Sequence, residues 1–350
     1  MLTMRKLSIV FLSILAVVLA AAQNQEWSLV VRLNPAIDDI VPAGAKVETM
    51  VGGENFSVLE GPVWVKRGGY LLFSDMAANV IYKWSPEDGK VSVFLPYSGW
   101  TGTDDFDVGA QIENGYVLVT IVGSNGVTVD PQGRVVFNAM GDRQIVRLEE
   151  DGRRTVLASH YQGKRLNSGN DLVFKSDGSL YFTDPPSGLR GREDSPKVEL
   201  PFKGVYRLKD KDLQLLVEFR GKESSPNGLA FSPDEKYFYV NDIRQKTIIR
   251  YDVQPDGKVT NGKVFIDMSS DKSRGGPDGM KVDQKGNVYC TGPGGVWIIS
   301  PEGRHLGTIL TQTQITNLAF GGNDGKTLYL TGRGLYRIRL KVPGIIPGPA

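Results

Sequence analysis

Residues 227–253 read NGLAFSPDEKYFYVNDIRQKTIIRYDV. A short apolar run opens behind Asn227-Gly228, Ser232-Pro233-Asp234 turns the chain, an aromatic and β-branched run follows, and after a second polar break a third run ends at Arg250-Tyr251. Short β-prone runs punctuated by turn residues are the signal of antiparallel hairpins. The same order returns at 125–157 (NGVTVDPQGRVVFNAMGDRQIVRLEEDGRRTVL), at 170–185 continued by 204–217, at 278–310 and at 317–340. Glu60-Gly61 heads one more copy. From Glu60 through Asn125, Asn170, Asn227 and Asp278 to Asn317 the steps are 65, 45, 57, 51 and 39 residues. These scatter around the roughly 40–50 residues of a propeller blade, and the long steps hold insertions at Tyr97–Asn114 and Ser187–Lys203. Amphipathic helical periods are scarce, which disfavours α/β folds. The expectation is an all-β, six-bladed β-propeller with a central metal site. It spans residues 46–341, after a signal peptide at 1–22 and an extension at 23–45, with a tail at 342–350.

Each repeat opens on an oxygen-bearing side chain. If the opening runs are the innermost strands of a ring, these six side chains converge on its axis, where they suit a hard cation. Taken singly, an Asn-Gly or Asp-Gly pair is a turn former. Here the pairs precede apolar runs instead of joining two strands, and they recur once per repeat. Carboxylates from Glu60 and Asp278 with amide oxygens from Asn170 and Asn227 make an O-donor set for Ca²⁺, Mg²⁺ or Mn²⁺, with Zn²⁺ as a further alternative. Two negative charges neutralise a divalent ion. Such an ion polarises carbonyls and acidifies bound water, which opens esters without a histidine triad.

Composition narrows the partners. Lys and Arg number 41 against 39 Asp and Glu, a formal charge of +2, so the chain carries no electrostatic footprint for nucleic acid or an anionic membrane. Small molecules are the expected partners, and a monomer the expected state. Arg5 and Lys6 precede the apolar run Leu7–Ala22, and Ala20 and Ala22 form an A-x-A-like site before Gln23. The run falls short of the ~20 residues that span a bilayer, so a cleaved signal and a secreted or periplasmic protein are expected. Cys290 is the only cysteine, so no internal disulfide forms. It lies in a strand-like run, where a buried inert thiol is expected. Asn55-Phe56-Ser57 is a glycosylation sequon, with meaning only in a eukaryotic secretory pathway.

Other catalytic signatures are missing. His160 and His305 form no zinc-binding cluster. No G-x-S-x-G elbow occurs. Gly325-Lys326-Thr327 imitates a phosphate loop, but Phe320 stands where that motif needs Gly, and the stretch reads as a hairpin turn.

Five motifs in order, Glu60-Gly61-Pro62-Val63-Trp64, Lys164-Arg165-Leu166-Asn167-Ser168-Gly169-Asn170-Asp171-Leu172, Tyr181-Phe182-Thr183-Asp184-Pro185-Pro186, Ser225-Pro226-Asn227-Gly228-Leu229 and Pro277-Asp278-Gly279-Met280, resemble the gluconolactonase/senescence-marker-protein/luciferin-regenerating-enzyme family. The resemblance runs from about Glu60 to Leu340. It implies a calcium-dependent six-bladed hydrolase, with Glu60, Asn227 and Asp278 as metal ligands and Asn170 as a further ligand or substrate contact. Asp278 is implied as general base or water-orienting carboxylate, and Arg165 as a substrate-binding residue at the pocket mouth. Asn125 and Asn317 complete the ring, as substrate contacts and hydrogen-bonding partners or, equally, as amides that satisfy the core. Where the family carries Glu-His-Gly-Asn-Arg, this chain has Ala139-Met140-Gly141-Asp142-Arg143, without the acid and the imidazole; Gly169 replaces a usual Pro. The reading is an exported lactone hydrolase acting on a small lactone or sugar-acid derivative. Phosphotriester hydrolysis and a non-catalytic calcium-dependent binding propeller are the alternatives.

Overall fold

The computed structural model describes residues 29–53, 56–102, 110–113 and 117–349. The signal segment, Asn55 of the sequon and part of the Tyr97–Asn114 insertion lie outside them. Strands make up nearly all the regular structure, and among the described residues the helical pieces are short 3₁₀ turns.

Six blades form the ring. Blades 1 to 4 are four-stranded antiparallel meanders whose first and last strands are Leu59–Val65 and Val91–Pro96, Ser124–Val129 and Arg154–Ala158, Leu172–Phe174 and Asp212–Phe219, and Pro226–Phe231 and Val259–Asp267. Blade 5 runs from Met280–Val282 to His305–Leu310 and gains Val30–Arg32 as a fifth, outer strand. Blade 6 takes Asn317–Gly321, Thr327–Thr331 and Leu335–Arg339 from the end of the chain and its outermost strand, Glu48–Val51, from near the beginning. Pairing the two ends of the propeller in one sheet closes the ring and removes an open edge.

Within a blade, sequence dictates the turns. In Asp130-Pro131-Gln132-Gly133 the Gly133 N–H donates to Asp130 O at 2.9 Å with φ at 88°, a conformation that glycine adopts without strain. In the equivalent turn of blade 4, Glu235 takes that place at φ 55°.

Six apolar clusters fill the six interfaces between neighbouring blades. Val63, Leu72 and Ile81 of blade 1 meet Val127, Phe137 and Val146 of blade 2; Tyr181 and Val205 of blade 3 meet Leu229 and Phe238 of blade 4. At the closure Trp64 stacks on Tyr329, ring centroids 5.6 Å apart and 6° from parallel. Inner strands are therefore apolar on both faces, which is why they read as continuous runs instead of alternating ones. Each buried Leu, Ile, Val or Phe stabilises by about 1.5–3 kcal/mol.

Candidate functional site: an axial carboxylate and amide cavity

The innermost strands touch around the axis, and the residues heading those of blades 2 to 5 are each pinned by the preceding blade. Ser74 Oγ, in the second strand of blade 1, donates to Asn125 O at 2.8 Å. The same grip recurs as Asn138 Nδ2 to Asn170 O at 2.6 Å, Thr183 Oγ1 to Asn227 O at 2.7 Å and Asn241 Nδ2 to Asp278 O at 2.6 Å. The glycines that follow the ring residues have a different origin from turn chemistry. A Cβ on Gly61 would stand 2.2 Å from Asn125 O, and one on Gly228 2.1 Å from Asp278 O. Only glycine lets adjacent inner strands come this close.

The result is a cavity of about 320 Å³ lined by Glu60, Asn125, Asn170, Asn227 and Asp278 together with Met76, Ile121 and Met140. Met140 stands in the wall of this cavity, in the blade where the resemblance implies an imidazole. Glu60 Oε2 accepts from Gly61 N at 2.8 Å and from Asn317 Nδ2 at 2.9 Å. Asn317 lies outside the lining and orients Glu60 from behind. Burial pushes the Glu60 carboxyl up to about 7, against the pull of these two hydrogen bonds. Asp278 is raised well above the carboxylate range by burial and by the charges of Glu60 and Asp171, while a hydrogen bond from Asn227 opposes the rise.

Asn125 Oδ1 and Asn227 Oδ1 are buried without any hydrogen-bond partner. Buried carbonyl oxygens are normally satisfied, so two of them beside two crowded carboxylates fit a cation with O-donor preference. With Glu60, Asp171 and Asp278 all ionised against Lys281, whose Nζ is 3.6 Å from Asp171 Oδ2, the axis carries −3 + 1 = −2, a charge that a divalent cation neutralises. Among the described residues no three His, Cys, Asp or Glu side chains make a metal cluster by themselves; the donor set is mixed carboxylate and amide.

Arg165 is elsewhere. It ends the small hairpin His160–Tyr161 with Lys164–Arg165 and lines a neighbouring cavity, with its Nη2 donating to Asp142 O at 2.6 Å. The rim of the axial cavity instead carries Arg192, Glu193 and Arg244. Arg192 and Glu193 sit in the Ser187–Lys203 insertion, which has no repeat signature and whose excess length is the one hint in the sequence; Arg244 sits in the second polar break of the blade-4 repeat. Cys290 is fully buried, and burial pushes its thiol up to about 12. His305 stacks on Trp297, and His160 bonds Ser159; neither lines the axial cavity.

Six blades around an axial cavity ringed by carboxylates and amides define a six-bladed β-propeller with a polar axial site. Residues 58–333 match the model of the SMP-30/Gluconolactonase/LRE-like region, and the chain belongs to that family. A gluconolactonase of Zymomonas mobilis is 36% identical over 338 residues, covering 93% of this chain and 90% of that protein. The structure of XC5397 from Xanthomonas campestris, a gluconolactonase, superposes with a TM-score of 0.74 at 30% identity, over 90% of this chain and 95% of that one. Pentonolactonase XacC of Haloferax volcanii is 26% identical, over 79% of this chain and 81% of its own.

Proposed function

We propose that this protein hydrolyses a lactone in the axial cavity, with one divalent cation, Ca²⁺ before Mg²⁺, Mn²⁺ or Zn²⁺, held by Glu60, Asn170, Asn227 and Asp278. The observation that carries the reading is two carboxylates with raised pKa values beside partnerless amide oxygens in one cavity. Its relatives from Zymomonas mobilis and Haloferax volcanii are named for lactone hydrolysis. When bound, the cation supplies Lewis acidity for the ester carbonyl and for water. Asp278 accepts the proton of the attacking water and returns it to the ring oxygen as the acyl C–O bond breaks, so that one water is consumed and one hydroxy acid leaves. Asn227 holds the Asp278 carboxylate; Asn317 and the Gly61 N–H hold Glu60. Asn125 and the rim residues Arg192 and Arg244 meet substrate hydroxyls, and Met76, Ile121 and Met140 exclude bulk water. Residues 1–22 direct export, a reading supported by the Arg5-Lys6 and Leu7–Ala22 pattern.

Proton release from a panel of aldonolactones, simple γ- and δ-lactones and organophosphates tests this, using protein stripped by chelator and resupplied with single ions. Lactone turnover is expected to vanish on stripping and to return with one ion. Asp278→Asn and Glu60→Gln are expected to lower it by at least about 100-fold. Full activity in stripped protein defeats the cation role, and a preference for organophosphates moves the substrate class. Met140 in the cavity wall is the observation that favours a non-catalytic binding propeller, and calcium binding without turnover on any substrate supports that second reading.

A further inference from the structure

We infer that the protein carries a second ligand site, specific for a small oxyanion, in the cavity formed by Trp100, Arg143 and Arg165 beside the axial one. This cavity of about 400 Å³ also has Lys197 and Glu199 in its lining. Met140 lines the axial cavity and the next residue, Gly141, lines this one. The two are neighbours on the same face of the ring.

Among the described residues three buried N–H donors here have no hydrogen-bond partner: Trp100 Nε1, Arg143 Nη2 and Arg165 Nε. A buried donor left unmade costs about 1–3 kcal/mol, and more when charged, so three beside one cavity call for an acceptor. Both guanidiniums are held in place through their other N–H groups by uncharged backbone carbonyls. Arg143 Nε donates to Leu166 O at 2.7 Å and Asn167 O at 2.8 Å, and Arg165 Nη2 to Asp142 O. Neither makes an ion pair among the described residues. Glu199, the one carboxylate in the lining, accepts from the Arg165 backbone N–H at 2.8 Å. Asp142 turns its carboxylate to Thr101. The two guanidiniums against Glu199 leave +2 − 1 = +1 in the lining, with Lys197 beside them. Arg143 is only 6% exposed, an arginine far more buried than is usual, and its pKa is depressed by burial and then by the Arg165 charge, which outweigh the opposing charges of Asp184 and Glu199. A guanidinium pair and an indole N–H, all donors, fit the oxygens of a carboxylate or a phosphate. A neutral sugar brings no charge to set against the two guanidiniums. The product of lactone opening carries a carboxylate and a sugar ester carries a phosphate, so the site takes an acidic small molecule of one of these two kinds.

Calorimetric titration of the full chain after chelator treatment, with gluconate, inorganic phosphate and glucose as separate titrants, tests the site. One equivalent of an anion is expected to bind and glucose is not; the tighter of the two anions assigns the group. Arg165→Gln is expected to weaken binding about 10-fold or more and Trp100→Phe, which deletes the indole N–H and keeps an aromatic ring, several-fold. Asp278→Asn is expected to leave it unchanged. Should Arg165→Gln misfold, Trp100→Phe still reads the site. No saturable binding of either anion up to about 10 mM, affinity untouched by both variants, or equal binding of glucose overturns the proposal. Because nothing is turned over, failure here leaves the lactonase reading standing, and an inactive enzyme that still binds the anion sinks only that reading.

Discussion

Glu60 and Asp278 are costly residues for a cation-free protein, since burial forces both carboxyls above their ordinary range, with the charge of Asp171 adding to each and that of Glu60 adding to Asp278. Sites of this kind mark function more often than stability. Asp184 shows the same force without the site. It is fully buried at the end of a blade-3 strand, and burial pushes its carboxyl from 3.8 up to about 7, although the Asn167 N–H donates to it at 2.7 Å. The native state then holds a proton that the unfolded chain has lost. Stability from this group is complete below pH 4, falls as pH rises, and is gone above pH 7. Asp184→Asn, which keeps an acceptor for Asn167, is expected to flatten the decline in unfolding free energy between pH 4 and 7, on the order of a few kcal/mol. Denaturant melts at several pH values check this, and an unchanged slope refutes it. At this scale the five cavity residues were legible because each heads a repeat. Arg165 was not placed by the same reading, since a motif tells which hairpin a residue is on and not which cavity it faces.

At the scale of strands, the repeated grip of blades 1 to 4 on the blade that follows helps convert a sequence repeat into a ring of side chains. The gripping residues, Ser74, Asn138, Thr183 and Asn241, sit in second strands and hold backbone carbonyls at 2.6–2.8 Å. Asn138→Ala leaves the Asn170 carbonyl without this donor. It is expected to cost about 1–3 kcal/mol and also to weaken cation binding, because the Asn170 carbonyl is then held by the Gly126 N–H alone. Thermal melts with and without Ca²⁺ check both effects; loss of stability with unchanged cation affinity contradicts the positioning role. The first strands and their turns were readable from apolar runs and Gly or Asp positions. The partners of their carbonyls were not, because they come from a strand of the preceding blade.

For the whole molecule, closure depends on a segment distant in sequence. Glu48–Val51 pairs with Leu335–Arg339, and Ile37, Ile40 and Val41 bury against blades 5 and 6. Removing residues 29–51 strips those three side chains from the core, roughly 5 kcal/mol or more, and exposes a strand edge. Against a typical stability of about 5–15 kcal/mol, the shortened chain is expected to be insoluble or to melt far below the full one. Soluble yield and circular dichroism decide it, and identical melts disprove the closing role. Period, composition and turn chemistry are local properties, so a six-repeat β-ring, its apolar runs and the oxygen-bearing residue at the head of each repeat are legible in the order of amino acids alone. Which donors share a cavity, which amides keep a bare oxygen, that Asn317 stands behind Glu60, and that Arg165 joins Arg143 and Trp100 away from the axis are fixed only once the blades pack. Those relations join residues tens to hundreds of positions apart, and no local pattern encodes where distant backbones stop once the ring has closed.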